Sequence, residues 1–471
     1  MQMKMVSSKN HSRIIAFILL TAVSWGGVSS HAQSPVANSV LFEHVRVITG
    51  DGGLIPDADV LLRDDTIAAV GASGTIAVPA NTNRLDLRGK TLLPALIDAH
   101  AHLGYEGFDS WGGTNYTIEN LIDHLQRYAY YGFGAVFSAG SDPAEMAFEL
   151  QALQAEGESS AAQFLFAAGM APPGQGPNNQ FLVEALAVEQ RTNNKILYGL
   201  GTPDEARSAV REVADQQIRF VKLWVDDRGG SQQKLQPEIY RAAITEANRL
   251  GLAVVVHQQF AEDMPDLIAA GTRGFLHGRL ESGFTPAIAE AASANHVFIV
   301  PNLGLGELRR EAIGDDPFLM QTLPASVLSR LSASAQRSSA PEKNPVLEQT
   351  LRDSFSYMLA ANVDIVLGTD AGAVPDHPFG YAGHRELEIF VRHGLSPMQA
   401  LSAATSVAAK VLGLENTGLI KEGYRADLLV LDRNPLEDIR NTRSIYSVYL
   451  GGKQLDRAAL AAKFTAESVG N

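Results

Sequence analysis

Six residues with metal-binding or proton-accepting side chains stand at the ends of apolar runs in this chain. His100 and His102 form a His-x-His pair at the end of the run Leu-Leu-Pro-Ala-Leu-Ile-Asp-Ala-His. Side chains two apart on a strand point the same way, so both imidazoles can reach one metal ion. Four later apolar runs end in the same manner, at Lys222, His257, His277 and Asp370. This regularity predicts a two-metal site of the kind used for hydrolysis.

Composition narrows the class of protein. The 471 residues suffice for one large core plus a smaller module. The chain contains no cysteine, which excludes disulfides, thiolate ligands and a cysteine nucleophile. Its net charge of −14 and the lack of a basic patch argue against nucleic-acid binding. A small-molecule substrate is the expected partner, and a homo-oligomer is compatible with the sequence.

The first 32 residues have the pattern of a secretory signal peptide. Basic residues precede an apolar stretch at 14–23, and small and polar residues then lead to Ala32. This order predicts cleavage that leaves Gln33 at or near the mature N-terminus, and export, to the periplasm. The apolar stretch is too short to span a bilayer, and no later run is long enough, so we expect no membrane span.

Both ends of the chain read as short strands separated by turns, over residues 38–93 and 415–460. Alternating segments such as Phe-Glu-His-Val-Arg-Val-Ile are broken by Asp-Gly-Gly, and the C-terminal end repeats this style. The two strand-rich pieces predict one small β-sandwich domain built from both chain ends.

Between these pieces, residues 94–414 alternate apolar strand-like runs with helical stretches at 205–217, 237–250 and 397–412. Such alternation predicts an α/β domain with parallel strands. Two other segments within this range are predicted to be irregular. Residues 168–179 are rich in Gly and Pro, which favours an irregular loop over the strand ends. Residues 303–344 form a long polar insertion, either a lid over the site or an ordinary surface excursion.

The order and spacing of these motifs resemble the amidohydrolase superfamily, in its two-metal branch with a carboxylated lysine, near imidazolonepropionase-like proteins and Xaa-Pro and Xaa-Arg dipeptidases. The resemblance extends over residues 40–454. It is carried by Pro-x-Leu-Ile-Asp-x-His-x-His, Val-Lys, Val-His, Leu-His-Gly, Gly-Thr-Asp-Ala-Gly and the C-terminal Gly-x-Ile-x-x-Gly-x-x-Ala-Asp-Leu-x-Val-Leu-Asp. It implies a (β/α)8 TIM barrel as the metal-dependent catalytic domain, with functional residues at the C-terminal strand ends.

The resemblance also implies a role for each of the six residues. His100, His102 and Asp370 would bind the more buried of two divalent ions, most simply zinc, and His257 and His277 the more exposed one. An ammonium is no metal ligand, so Lys222 would be carboxylated by CO₂ to a carbamate that bridges both ions. A bridging hydroxide would attack, and Asp370 would pass its proton to the leaving group.

Other positions depart from the family pattern and concern the substrate. Leu276 stands where the family often has a carboxylate, and Gln258 and Gln259 replace a small residue followed by His or Tyr. We therefore expect intact metal ligands but an altered substrate pocket. His384, His377 and Gln259 are candidates for substrate contact.

Three functions compete on this evidence. The first is an exported hydrolase of amide bonds in dipeptides or N-acyl amino acids. The second keeps the metal site but acts on a lactone, carbamate or phosphotriester. The third is a non-catalytic scaffold, which the retention of all six candidate ligands disfavours. The fold alone does not decide among them.

Overall fold

The computed structural model describes residues 39–157, 161–278, 280–337 and 344–466, with side chains throughout except at 334–337. The predicted signal peptide, residues 1–32, lies outside this part of the chain. Within the described ranges, no helix combines the length and the apolar character needed to cross a membrane.

The strands fall into an antiparallel group from the chain ends and a parallel group between them. In chain order they are β1 (Ser39–Ile48), β2 (Leu54–Arg63), β3 (Thr66–Ala72), β4 (Asn83–Asp86), β5 (Thr91–Pro94), β6 (Leu96–Ala101), β7 (Phe133–Ser138), β8 (Gln163–Phe166), β9 (Ala168–Ala171), β10 (Leu197–Gly199), β11 (Phe220–Val225), β12 (Ala253–Gln258), β13 (Gly274–Leu276), β14 (Phe298–Val300), β15 (Leu428–Leu431), β16 (Ile445–Leu450) and β17 (Lys453–Gln454).

The helices mostly lie between parallel strands. They are α1 (Ile118–Tyr130), α2 (Ala144–Ala155), α3 (Asn179–Thr192), α4 (Pro203–Asp215), α5 (Pro237–Leu250), α6 (Met264–Ala270), α7 (Pro286–Ala294), α8 (Leu303–Leu308), α9 (Ala325–Arg337), α10 (Pro345–Ala360), α11 (Tyr381–Arg392), α12 (Pro397–Ala403), α13 (Ser406–Leu412) and α14 (Arg457–Thr465).

The two ends of the chain share one eight-stranded sheet in the order β17-β16-β15-β5-β1-β2-β3, with β4 beside β1. The ends meet where β5 pairs antiparallel with β15, with Leu93 opposite Leu429. Phe42 and Val60 from the N-terminal part and Leu428 from the C-terminal part belong to one hydrophobic core. The strands that the sequence assigns to a sandwich are thus joined in a single sheet.

The parallel strands follow the order of a barrel. One sheet runs β6-β7-β8 and the other β10-β9-β11-β12-β13-β14, while β8 and β9 are separated only by Ala167. The segment 364–371 lies between β14 and β6, because Val366 N donates to Ile299 O and Ala99 N donates to Leu367 O, each at 2.9 Å. The predicted α/β barrel class is confirmed.

Local sequence signals start and stop the outer helices. Thr202 caps α4 by accepting a hydrogen bond from Glu205 N, and Pro203 occupies the first turn, where a missing N–H costs nothing. Helix α5 begins at Pro237 and ends at Leu250, and the next residue, Gly251, has a φ of 77° that glycine adopts most readily. The helices pack outside the strands, so the loops that follow the strands are available to form a site.

Candidate active site

The six candidate residues converge at the C-terminal ends of the parallel strands. His100 and Lys222 lie within β6 and β11 and His257 within β12, whereas His277 directly follows β13. Asp370 follows the segment that connects β14 and β6. His277 and Asp370 have φ angles of 67° and 59°, in the left-handed region that non-glycine residues rarely occupy. Strained backbone of this kind is concentrated at functional sites.

The Asp370 carboxylate lies at the centre of the cluster. Its Oδ1 is 3.4 Å from His100 Nε2 and 3.2 Å from His102 Nε2, and its Oδ2 is 3.3 Å from His277 Nε2. Lys222 Nζ lies 3.4 Å from the same His100 Nε2. One ligand atom from each of His100, His102 and Asp370 lies within 4.8 Å of the others, close enough to bind one metal ion.

The remaining ring nitrogens are bound by residues that sequence reasoning missed. Asn302 Oδ1 lies 2.9 Å from His100 Nδ1, and Asp226 Oδ2 lies 2.7 Å from His257 Nε2. An amide oxygen and a carboxylate only accept, so these ring nitrogens donate and His100 Nε2 and His257 Nδ1 carry the lone pairs. Each histidine therefore has one nitrogen able to bind a metal.

His102 is oriented in a similar way, although its partner does not fix the tautomer. His102 Nδ1 lies 2.9 Å from Ser141 Oγ, a hydroxyl that can donate or accept. Its ring also packs edge-on against Phe181, with centroids 5.2 Å apart. A sequence signal existed for two of the partners, because Asp226 and Asn302 are polar residues at the ends of β11 and β14.

A second buried carboxylate, that of Asp98, connects the end of β6 with the residues before Asp370. These two segments carry His100, His102 and Asp370. It accepts from His100 N at 3.0 Å, from Thr369 N at 3.1 Å and from the Tyr128 hydroxyl at 2.8 Å. Burial raises the pKa of Asp98 to about 6. Since Thr369 directly precedes Asp370, Asp98 fixes the position of Asp370 relative to β6.

Burial shifts the protonation of the cluster toward the forms that bind metals. It lowers the pKa of His257 to about 4 and moves the pKa of His100 and His277 well below the usual value, so these imidazoles are neutral at pH 7. For Asp370, burial acts to raise the pKa, but the imidazoles of His277 and His100 outweigh it and hold the pKa well below its ordinary range. Neutral imidazole and ionised carboxylate are the ligand forms of these groups.

Lys222 is fully enclosed, at 1% exposure. Burial lowers its pKa to about 7, although the Asp370 carboxylate opposes this shift. A substantial fraction of the amine is therefore unprotonated at neutral pH. The unprotonated amine is the nucleophilic form that can react with CO₂.

A cleft of about 570 Å³ opens onto the cluster. Its inner part is lined by His102, Lys222, His257, His277 and Asp370, with Phe181 and Trp224 as aromatic walls. The rest of its lining, called the outer part below, includes Leu303, Leu305 and Glu307 from α8, Leu347 and Leu351 from α10, and Arg392 and His393 at the end of α11. The segment beginning at 303 therefore forms one wall of the cleft.

The three candidates for substrate contact lie in different places. Gln259 lines the cleft, and its Oε1 accepts from Asp227 N at 3.3 Å. His384 is buried away from the cleft, with ring nitrogens 2.9 Å from Thr442 Oγ1 and 2.8 Å from Tyr131 O. Both of its nitrogens are engaged, so the structure does not support a substrate contact by His384.

His377 lies behind the site rather than in the cleft. Its Nε2 donates to Thr369 O at 3.1 Å, and the side chain lines a separate cavity of about 280 Å³ together with Glu106 and Arg330. In the structure, His377 binds the backbone just before Asp370. This position does not support the predicted contact with a substrate.

Comparison with known proteins places this geometry in a family. Imidazolonepropionase of Cereibacter sphaeroides (strain KD131) is 26% identical over 412 residues, which cover 83% of this chain and 93% of that protein. Ochratoxinase of Aspergillus niger is 26% identical over 443 residues, covering 86% and 84%.

Solved structures share the fold. The crystal structure of A. niger ochratoxinase superposes with a TM-score of 0.67 at 21% identity, covering 89% of this chain and 95% of that one. A Xaa-Pro dipeptidase with methionine bound in its active site has a TM-score of 0.67 at 22% identity, covering 89% and 100%. The sequence model of the amidohydrolase family matches residues 91–455. The chain therefore belongs to the amidohydrolase family and is a hydrolase that acts on C–N bonds, as its sequence predicted.

Proposed function

We propose that this chain is a binuclear metal hydrolase that cleaves the amide bond of dipeptides or N-acyl amino acids. The observation that carries the proposal is the convergence of four neutral imidazoles, the ionised Asp370 carboxylate and the enclosed Lys222 at one end of a cleft. Such a set of nitrogen and oxygen donors suits zinc. Related proteins act on compounds of this kind, since one structural neighbour is a Xaa-Pro dipeptidase.

The donors fit two ions. Asp370 Oδ1 is buried and has no hydrogen-bond partner among the described residues, as expected of an oxygen reserved for a metal. His100, His102 and Asp370 would hold one ion, and His257 and His277 the other. Two bound dications would polarise the scissile carbonyl and lower the pKa of a water molecule.

Lys222 would link the two groups of ligands as a carbamate. The unprotonated Nζ would attack the carbon of CO₂: the C–N bond forms as one C=O π bond breaks with its electron pair moving to oxygen, and the proton lost by the nitrogen passes to water, so the side chain becomes an anion with two oxygen donors. The 3.4 Å distance from Lys222 Nζ to His100 Nε2 supports this role, as does the position of Lys222 in the lining of the cleft beside His257 and His277. Its carbamate oxygens would complete a site that an ammonium would repel.

Asp370 is the group that would move a proton. Its carboxylate takes the proton released when a water oxygen bonds to the carbonyl carbon, and returns it to the amide nitrogen as the C–N bond breaks. The products are a carboxylate and an amine. Asp98 and Thr369 maintain the orientation of Asp370 through both steps, since Thr369 Oγ1 donates to Asp98 Oδ2 at 2.6 Å.

A hydrolysis screen with metal-supplemented protein tests the proposal. Dipeptides and N-acyl amino acids should be hydrolysed in preference to lactones, carbamates and phosphotriesters, on which the same site would act under the alternative assignment. Asp370→Asn should lower turnover by about 10²–10⁴-fold while metal stays bound, because an amide can still ligate weakly but cannot take the proton. Preference for a lactone or phosphotriester, or near wild-type turnover of the variant, would refute the assignment.

We also propose that the protein acts after export, with Gln33 at or near its mature N-terminus. The succession of basic, apolar and small residues over positions 1–32 supports this. Mass spectrometry of periplasmic protein tests it, and a mature fraction that begins at Met1 would refute it.

A further inference from the structure

The cationic side chain of Arg228 lies on the side of the cluster that contains His257. It lies three residues beyond β11, the strand that carries Lys222, and lines the cleft. The side chain is 25% exposed, so it combines access from the cleft with partial shielding from water. Its φ of 52° lies in the left-handed region, which places it at a sharp turn after the strand.

Contacts with the site residues fix Arg228 in place. Arg228 N donates to Asp226 Oδ1 at 2.7 Å, and Nη1 lies 2.9 Å from Asp226 Oδ2. The same Oδ2 accepts from His257 Nε2 at 2.7 Å. The Arg228 guanidinium is therefore linked to His257 through the Asp226 carboxylate. The same carboxylate binds both the backbone and the side chain of Arg228.

The other arginines of the cleft are placed differently. Arg392 is paired with Glu307 and lies 3.7 Å from Glu348, so it contacts two carboxylates of the cleft wall, whereas Arg228 is paired with the carboxylate that also binds His257. Arg310 is exposed, two residues beyond α8, in the outer part of the cleft. Among the arginines lining the cleft, Arg228 is the one in contact with a partner of the candidate metal ligands.

We propose that Arg228 binds the α-carboxylate of the substrate and thereby selects amides whose amine half is an amino acid. This inference rests on the proposed function and names the residue that recognises the amino-acid half of its substrates. A guanidinium presents five N–H donors in a rigid fork and can bridge two carboxylates, here Asp226 and the substrate. Its closeness to His257 favours a carboxylate adjacent to the scissile amide over one at the far end of the substrate.

The test compares a free acid with its uncharged counterpart on the same protein preparation. The probes are glycyl-L-phenylalanine and N-acetyl-L-phenylalanine, each paired with its α-carboxamide, together with N-acetyl-6-aminohexanoate, whose carboxylate is distant. Wild-type protein should prefer each free acid over its carboxamide by about 10–100-fold in kcat/KM, the range expected of hydrogen bonds to a charged group. The distant carboxylate should give no such advantage.

Arg228→Gln should bring the kcat/KM ratio between each free acid and its carboxamide close to one, with KM rising more for the free acids than for the carboxamides. Arg228→Lys should retain part of it, because the charge remains without the fork. Arg310→Gln, which removes an exposed cation from the same cleft, is the matched control and should keep the full preference. The ratio is independent of metal occupancy, and a thermal melt confirms folding.

The outcomes separate this inference from the function on which it rests. Equal hydrolysis of acid and carboxamide by wild-type protein, or a preference that persists in Arg228→Gln, would overturn the role of Arg228 and leave amide hydrolysis standing. Loss of the preference in Arg310→Gln would transfer the role to the outer cleft. Failure to hydrolyse any of the amides would refute the proposed function and this inference together.

Discussion

The inner and outer parts of the cleft are built in different ways. In the inner part, the candidate ligands are carried by neighbouring parallel strands or lie directly after them, and their ring nitrogens are bound by Asn302, Asp226 and Ser141. In the outer part, the lining side chains come from α8, α10 and the end of α11, which are joined by long connections.

The comparison teaches which features are set by the barrel itself. Parallel strands place their ends side by side, so a polar residue at each end joins one cluster whatever the loops do. The outer wall depends instead on how helices far apart in sequence pack together. The strands therefore position the residues that carry out the reaction, whereas the residues that select the substrate lie on loops and helices. Substitutions in the two parts should affect different measured quantities.

The largest effect is expected from removing strand-borne ligands. His100→Ala with His102→Ala should abolish activity and lower the metal content below the proposed value of about two divalent ions per chain, because both imidazoles face Asp370 Oδ1. Elemental analysis of protein produced with zinc measures this. The control is His296→Ala, which removes an exposed histidine outside the cleft and should change neither quantity. An unchanged metal count in the double variant would contradict the ligand assignment.

Lys222 gives the next prediction. Lys222→Ala should lose most activity and metal, because the proposed bridging carbamate would be missing while the buried space remains. Acetate or propionate should restore part of the activity when added with metal, since a small carboxylate can enter that space and supply the two missing oxygens. Propylamine, which is of similar size but offers no oxygen ligand, should not restore activity.

A structural lysine would behave otherwise. Its removal would cost stability, measured as a lower melting temperature, and no carboxylate would restore turnover. A fully active Lys222→Ala protein would eliminate the bridge. A folded variant that binds two metals without any added carboxylate would equally rule it out.

Much of the inner site was predictable from the sequence, and the reason is geometric. His-x-His and the single residues ending apolar runs signal strand ends directly, and the α/β alternation shows that these strands are parallel. The partners of the ligands were not predictable in the same way. Asn302 and Ser141 bind residues 202 and 39 positions earlier in the sequence, and no periodicity links such pairs.

The structure differs from the sequence-based expectations where tertiary packing decides local structure. Residues 168–179 resemble a loop by composition, yet Ala168–Ala171 form β9, because this strand pairs with β10 and β11 on either side. The stretch 397–412 was predicted as continuous helix but is broken between α12 and α13, where Thr405 Oγ1 donates to Leu401 O. His384 follows Asp370 closely in sequence but points into the protein interior, where Tyr131 O binds it.

A smaller effect is expected from the residue that orients His257. Asp226→Asn should lower metal affinity about 10–100-fold without abolishing binding, because the amide can present its NH₂ to His257 Nε2 and destabilise the tautomer that leaves Nδ1 free. Titration with a metal-sensitive dye measures the affinity. Asp227→Asn is the matched control, since Asp227 is the next residue and its carboxylate accepts from Gly229 N instead. Equal affinities in the two variants would contradict the role of Asp226.

The smallest effect concerns the outer wall, where Glu386 holds the start of α8. Its carboxyl oxygens accept from Leu303 N at 2.9 Å and Gly304 N at 2.6 Å. Glu386→Gln replaces one acceptor by an NH₂ group that faces a backbone N–H, at a cost of about 1–3 kcal/mol. We expect a lower melting temperature and a raised KM with unchanged metal content, since no candidate ligand contacts Glu386 among the described residues.

The pH dependence of the melting-temperature difference between wild type and Glu386→Gln gives a sharper test. Burial raises the pKa of Glu386 to about 8 from an ordinary value of 4.5. Between these values the folded chain retains a proton that the unfolded chain has released, so the contribution of Glu386 to stability falls as pH rises toward 8. Gln cannot titrate, so the difference in melting temperature between wild type and Glu386→Gln should narrow from pH 5 to pH 8. A difference that widens over this range would contradict the raised pKa of Glu386. Loss of metal in the variant would show that the outer wall and the metal cluster are not separable as the comparison requires.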